Sequence, residues 1–328
     1  MDARSSAAEV PTIDLDREPA VVAVEFDAVC REVGFFQIIN HGFPTEVADA
    51  AWDAATAFFD LPLADRMSVA RPSGGYPYGY IPIAEETLTR SLGGESAPDL
   101  KEVFNVGPID SPGRPFADPG EAEVYSPNLW PTALPELRAT WEPYYREMLK
   151  LSSRLMSLFA LGLELPSNYF EPYIDTSPSA LRAVNYPEQA HAPSPGQLRA
   201  GAHTDYGTLT ILRQDDAPGG LEVRSPNENR WVPIPIVPDA FVINVGDLLA
   251  RWTNDRWRST LHRVVNPDVG ETRSTRRQSM PFFHNANYHS VVACLPTCFE
   301  PGQQPKYPPV TAGVHLMTKF KRTVYASE

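Results

Sequence analysis

His203 and Asp205 stand two residues apart in Gly201-Ala-His203-Thr-Asp205-Tyr-Gly-Thr-Leu-Thr-Ile-Leu212, at the head of an alternating segment. In an extended strand, residues i and i+2 point to the same face. The pair can therefore aim a nitrogen and an oxygen at one point. A second histidine would complete a set of two imidazoles and one carboxylate with open positions, which suits Fe(II). The third candidate is His262, in Ser259-Thr-Leu-His-Arg-Val-Val265, where it shares a strand face with Thr260 and Val264. Taken singly, H-x-D also reads as a polar strand edge, and a lone strand histidine as a core residue. A second pair, Arg277 and Ser279, again sits at i and i+2. A guanidinium fork beside a hydroxyl is a receptor for a carboxylate in a dry pocket. Arg276 faces the other way and is expected to be exposed or paired.

These residues need strands to hold them, and the second half of the chain supplies strand-like segments. Short runs at Leu181–Tyr186, Thr208–Leu212, Gly220–Val223, Trp231–Ile234, Phe241–Val245, Ser259–Val265, Ser279–His284 and Val291–Leu295 are separated by turn sequences such as Asp216-Ala-Pro-Gly-Gly220. Many short strands with regular turns indicate a sandwich or barrel. The first half alternates differently. Val10–Leu15 reads as a strand, residues 20–33 as an amphipathic helix ended by Gly34, Phe35–Ile39 as a buried strand, and 45–59 as a second helix. Ser73–Tyr80 is a Gly- and Tyr-rich loop, Asp99–Val106 a strand, and 108–132 a long surface loop. In 134–162, Leu137, Trp141, Tyr144, Met148, Leu151, Leu155, Leu158 and Phe159 make one apolar stripe, the mark of a core-facing scaffold helix. The period changes near 180 with no linker. The chain therefore reads as one α+β unit with a mainly β core. Residues 1–130 form a helix/strand region, 131–180 the scaffold helix, 180–295 the β core with the metal site, and 296–328 a C-terminal segment.

Composition bounds the partners. The chain has 328 residues and a formal net charge of −13, which argues against nucleic acid or an anionic membrane. No apolar run reaches transmembrane length. Met1–Val10 lacks a hydrophobic signal core, so a cytoplasmic location is expected. Cys30, Cys294 and Cys298 are odd in number and read as reduced thiols. The 34 prolines are scattered, which fits a domain with many loops and edges. No nucleotide fingerprint, P-loop or internal repeat is present. Oligomeric state is not readable.

Taken together, the segments resemble the isopenicillin N synthase-like branch of the 2-oxoglutarate/Fe(II)-dependent oxygenases over nearly the full length. The resemblance is carried by Val10–Leu15, Gly34-Phe-Phe-Gln-Ile-Ile-Asn-His-Gly42, Phe58-Phe-Asp-Leu-Pro62 and Asp99-Leu-Lys-Glu102. It continues in Asn185-Tyr-Pro187, His203-Thr-Asp205, Asn244-Val-Gly-Asp247, Thr253-Asn254, Leu261-His-Arg-Val264 and Arg277-Gln-Ser279. It implies a double-stranded β-helix, or jelly roll, with flanking helices. It implies Fe(II) bound by His203, Asp205 and His262. Arg277 and Ser279 would hold the distal carboxylate of 2-oxoglutarate, with Tyr186 adding a hydrogen bond, and O2 would be the oxidant. Decarboxylation to succinate and CO2 would drive oxidation of a bound small molecule by hydroxylation, desaturation or cyclisation. A role in specialised metabolism, antibiotic biosynthesis included, is expected. One departure is the spacing of 15 residues from His262 to Arg277, longer than the family's usual one. Residues 268–275 supply the excess and read as a longer hairpin loop.

Two alternatives share the fold. In a ketoacid-independent Fe(II) oxidase of the isopenicillin N synthase type, Arg277 and Ser279 would hold the substrate's own carboxylate. A non-catalytic jelly-roll binding protein would be expected to lack a ligand. For the substrate pocket the candidates are Tyr78, Tyr80, Phe104, Asn105, Leu212 and Phe283, with the segment from His315 to Phe320.

Overall fold

The computed structural model describes residues 10–324, apart from 74, 95, 190, 227, 269, 300 and 301; Met1–Glu9 and residues 325–328 lie outside the described residues. Twelve strands carry the site. They are β1 (Thr12–Asp14), β2 (Phe35–Ile39), β3 (Gly79–Ile81), β4 (Glu102–Val106), β5 (Ala180–Tyr186), β6 (Ala200–His203), β7 (Leu209–Gln214), β8 (Gly220–Arg224), β9 (Trp231–Pro233), β10 (Phe241–Val245), β11 (His262–Val265) and β12 (Arg277–His284). They form two sheets. The large one runs β1-β2-β10-β7-β12-β5-β4-β3 and the small one β6-β11-β8-β9. Strands β10, β7, β12 and β5 with the four of the small sheet make the double-stranded β-helix. The N-terminal half extends the large sheet at both edges, through β1 and β2 on one side and β4 and β3 on the other.

Three helices cover the outside of the large sheet: α1 (Pro19–Glu32), α2 (Thr45–Asp60) and α3 (Pro135–Gly162). Each presents one apolar face. In α1, Val22, Phe26, Val29 and Cys30 are buried. In α3, every residue of the expected stripe is buried. The contact is strongly aromatic. Phe26 meets Phe36 and Phe159, while Phe104 meets Phe58 and Trp141, with centroids 4.5–5.5 Å apart. Such rings supply large buried area and fixed orientation. Gly34 ends α1 with φ of +66°, and a Cβ there would lie 2.0 Å from the Arg258 carbonyl oxygen. Only glycine satisfies both demands.

Several elements depart from the sequence reading. The strand bearing His203 stops at that residue, and β7 starts at Leu209, so Asp205 lies in the turn between. That turn is held by backbone bonds from Thr208 to His284 and from Asp247 to Asp205. The expected strand Ser259–Val265 begins only at His262, where backbone pairing starts; before it the Ser259 hydroxyl donates to Asp247 and the Thr260 hydroxyl to the Val33 carbonyl. The strand expected at Val291–Leu295 covers only Val291–Val292. The surface loop 108–132 contains a short helix, Pro119–Val124, capped by the Asp118 carboxylate 2.8 Å from the Glu121 amide. Two further helices, α4 (Asp247–Trp252) and α5 (Ala312–Val324), were not legible. Residues 266–276 are not a hairpin loop. Strand β11 pairs in the small sheet and β12 in the large one, so the connection crosses between sheets. Its far end is fixed by Glu188, which accepts from the Thr275 and Arg276 amides and from the Ser274 and Thr275 hydroxyls. The extra length therefore leaves both strands in place.

Candidate active site

His203 ends β6 and His262 starts β11, and the two are direct cross-strand partners. Their rings lie 4.3 Å apart between centroids. Asp205 enters from the turn after β6. Its Oδ1 is 3.9 Å from His203 Nε2 and 3.7 Å from His262 Nε2. The three donor atoms lie within 4.8 Å of one another. The atoms pointing away are all engaged. His203 Nδ1 is 2.8 Å from the Gly201 carbonyl and His262 Nδ1 is 3.1 Å from the Thr260 carbonyl. A carbonyl only accepts, so both Nδ1 atoms carry a proton and the Nε2 atoms are the ones turned to Asp205. Asp205 Oδ2 accepts from the Thr210 hydroxyl at 2.6 Å and the Asn244 amide at 2.7 Å. Oδ1 is left facing the histidines.

Electrostatics agree with this division. Burial, and then the neighbouring His262, push the His203 imidazole down to about 3, so it is neutral at ordinary pH. Burial alone would raise Asp205, but His262, His203 and the two hydrogen bonds outweigh it and hold the carboxyl below its usual range. Two imidazoles and one carboxylate, each oriented from behind, fit a divalent metal that keeps open positions.

A second polar site lies deeper in the barrel. Arg277 and Ser279 share the inner face of β12, opposite Tyr186 and Val184 of β5. Arg277 is 2% exposed. Its guanidinium lies 5.1 Å from the Tyr186 ring centroid, and Nη2 donates to Gln214 at 2.9 Å. Nη1 is buried with no hydrogen-bond partner. Asp215 approaches no closer than 3.8 Å. A buried guanidinium nitrogen without an acceptor is costly unless a ligand supplies one, and a carboxylate is the matching group. The residues thus fit 2-oxoglutarate as they fit the metal. Arg276, on the opposite face, donates to Asp60 and Asn185.

One cavity of 240 Å³ joins the two sites and opens beyond them. It includes Tyr78, Asn105, Leu212 and Phe283 among the expected pocket residues. Tyr80 and Phe104 are corrections, since neither borders it. They are cross-strand partners on β3 and β4. Phe104 packs on Phe58, Trp130 and Trp141, and the Tyr80 hydroxyl donates to Glu102. Strand alternation decides this: Phe104 and Asn105 are adjacent, so only one of them faces inward. The C-terminal segment contributes Leu316, Met317 and Phe320 from α5. Sequence reading missed Glu86, Lys101 and Arg182 on the wall. Arg182 had a signal, because Arg182, Val184 and Tyr186 alternate on one face of β5; Glu86 and Lys101 had none.

With that geometry in place, the comparisons decide the family. Residues 10–133 match the family described as non-haem dioxygenase in morphine synthesis, N-terminal. Residues 178–286 match the 2OG-Fe(II) oxygenase superfamily. A 2-oxoglutarate-Fe(II) type oxidoreductase of Emericella nidulans is 34% identical over 91% of this chain and 84% of its own. The chain belongs to the 2OG-Fe(II) oxygenase superfamily. It is also similar to a validamycin A dioxygenase of Streptomyces hygroscopicus, at 31% identity over 94% of this chain and 85% of that one. Among solved structures, a full-length Neurospora crassa protein in complex with alpha-KG and thymine superposes with a TM-score of 0.83. It is 29% identical and covers 96% of this chain and 97% of that one. The fold is that of these oxygenases, and the protein is a 2-oxoglutarate-dependent dioxygenase that uses Fe(II), 2-oxoglutarate and O2.

Proposed function

We propose that His203, Asp205 and His262 are the iron ligands, and that Arg277 and Ser279, with Tyr186 alongside, hold the distal carboxylate of 2-oxoglutarate. The observation that carries this is the pairing of free donors. The metal-facing atoms are the ones that no protein group uses, and Arg277 Nη1 is buried without a partner. When bound, the iron with 2-oxoglutarate and O2 supplies the oxidising chemistry. The chain's own residues do the rest. Thr210 and Asn244 fix the Asp205 carboxylate, and the Gly201 and Thr260 carbonyls fix the two ring tautomers. Leu212, Leu221 and Val264 are apolar walls of the cavity. They exclude water there and strengthen the guanidinium–carboxylate attraction.

Beyond the class, we infer a small-molecule substrate of specialised metabolism, antibiotic biosynthesis included, oxidised by hydroxylation, desaturation or cyclisation. Two similar proteins, one solved with thymine and one a validamycin A dioxygenase, support a small molecule. We also place the protein in the cytoplasm. Cys30, Cys294 and Cys298 are all unpaired, which supports a reducing compartment. No helix among the described residues is long and apolar enough to cross a membrane. Succinate release coupled to substrate oxidation, measured with Fe(II), 2-oxoglutarate and a metabolite panel, tests the assignment. Succinate should form in the wild type and be lost in His203→Ala with the fold retained. Product formation without 2-oxoglutarate would favour the ketoacid-independent oxidase instead.

A further inference from the structure

The cavity wall beside His203 carries a charged cluster that neither the metal nor the carboxylate site uses. Arg182 Nη1 and Nη2 reach the two Glu86 oxygens at 3.1 and 3.3 Å. Lys101 Nζ is 3.5 Å from Glu86 and 2.7 Å from Asp99. Asp99 is spent on the scaffold as well, accepting from the Leu88 and Gly201 amides. The last of these bonds ties the cluster to β6 two residues before His203. Two cations and two carboxylates cancel. Arg71, also on the wall, faces the exposed Glu85 at 4.0 Å. Burial would raise Glu86, yet Arg182, Lys101 and Arg71 outweigh it and hold it down to about 2. Glu86 therefore stays a carboxylate across the working pH range.

Beside this neutral cluster one side-chain nitrogen has no partner. Arg182 Nε donates to Asn105 Oδ1 at 2.6 Å. A guanidinium can only donate, so the orientation of the Asn105 amide is settled: Oδ1 faces Arg182 and Nδ2 is the free end. Asn105 is 4% exposed, borders the cavity, and its Nδ2 has no hydrogen-bond partner. Leaving such a donor unpaired is costly, so the ligand should bring an acceptor. The Arg182 guanidinium is 5.9 Å from the Phe283 ring centroid, which places an aromatic face next to the donor. Arg182 and Tyr186 lie on one face of β5, four residues or about 13 Å apart, so this donor sits at the end of the cavity away from Arg277.

We propose that Asn105 Nδ2, held by Arg182, is a specificity-determining donor that receives a neutral carbonyl oxygen of the substrate, such as that of an amide, imide or lactam. Neutrality follows from the charge balance. A substrate carboxylate would have to draw Arg182 away from Glu86 and strand that carboxylate in a buried site. At Nδ2 itself a substrate ammonium would meet a donor, not an acceptor. The proposal rests on the assignment of iron and 2-oxoglutarate above, because it takes the remaining cavity as the substrate's.

The test uses δ-valerolactam and glutarimide as neutral carbonyl probes and cyclohexanecarboxylate as the charged match. Binding is read by calorimetry on the metal-free protein and on the anaerobic Fe(II)–2-oxoglutarate complex. The expected result is millimolar binding of the neutral probes, with the carboxylate weaker by at least about tenfold. Asn105→Asp keeps the acceptor for Arg182 and removes the donor, and Asn105→Ala removes both without adding charge. Each should weaken the neutral probes by about tenfold and leave 2-oxoglutarate affinity unchanged. Failure of every neutral probe to bind, equal binding of the carboxylate, or retained affinity in both variants would overturn the proposal. Failure of the wild type to form the Fe(II)–2-oxoglutarate complex would instead count against the site assignment, and calorimetry on the metal-free protein still decides the donor.

Discussion

Replacing Arg277 by Gln removes the buried fork while keeping a polar side chain of similar reach. The native guanidinium is 2% exposed, is backed by the Tyr186 ring, and has Nη1 unpartnered and Nη2 on Gln214. A carboxylate seated there gains two charge-assisted bonds, each about 1.5–3 kcal/mol in a dry site. Their joint loss is about 3–6 kcal/mol, because the ligand's charge is then buried without a counter-charge. That corresponds to roughly two to four orders of magnitude in 2-oxoglutarate affinity. Arg277→Lys keeps the charge but not the planar fork, and should fall between, at about tenfold or more. Anaerobic calorimetry of 2-oxoglutarate into the Fe(II)-loaded protein measures both. Iron affinity should be unchanged, since Arg277 touches none of the three ligands. If Arg277→Gln binds 2-oxoglutarate within tenfold of the wild type, the carboxylate is held elsewhere and the reasoning from the orphaned Nη1 is wrong.

Two further outcomes follow from the same geometry. Asn244→Ala and Thr210→Val each remove one of the two hydrogen bonds on Asp205 Oδ2, and each should lower iron affinity by about 10–100-fold with the fold retained, as measured by competition with a chelator. The metal-free protein should lose stability as pH falls from 6.5 toward about 3. Burial pushes His284 down to about 3 and His315 to about 4, against an ordinary value of 6.5. Their folded values are depressed, so below 6.5 the unfolded chain binds more protons and stability drops with pH. For His284 the slope has an upper bound of about 1.4 kcal/mol per pH unit. Denaturant melts from pH 7 to pH 4 should show a shallower slope in His284→Asn; an equal slope would remove His284 from the account.

The architecture was legible where physical signals are local. The α3 stripe from Leu137 to Phe159 is a helical repeat that only a core-facing helix explains, and all of it is buried. The metal residues were legible because His203, Asp205 and His262 carry their chemistry in their side chains. Their backbone was less so. Sequence alternation put Asp205 on the strand of His203, whereas the turn bonds to Asp247 and His284 come from segments far along the chain. Phe104 was misplaced because an aromatic type suits a pocket as well as a helix–sheet layer, and only the pairing of Tyr80 with Phe104 tells which face it takes. Lys101 and Glu86 were invisible for a different reason: a buried ion pair looks in sequence like two surface charges. The α5 helix, which brings Leu316, Met317 and Phe320 to the cavity, owes its place to contacts with Val124 and Tyr288.

The central claim is that one iron site, built from His203, Asp205 and His262, presents 2-oxoglutarate to O2. Anaerobic titration of the Fe(II)-loaded protein with 2-oxoglutarate, followed by visible absorbance, tests it most directly. A saturable charge-transfer band should appear in the wild type, be lost in His203→Ala and Asp205→Ala, and form in Arg277→Gln only at far higher 2-oxoglutarate. Absence of the band in the wild type, or its survival in the ligand variants, would contradict the assignment.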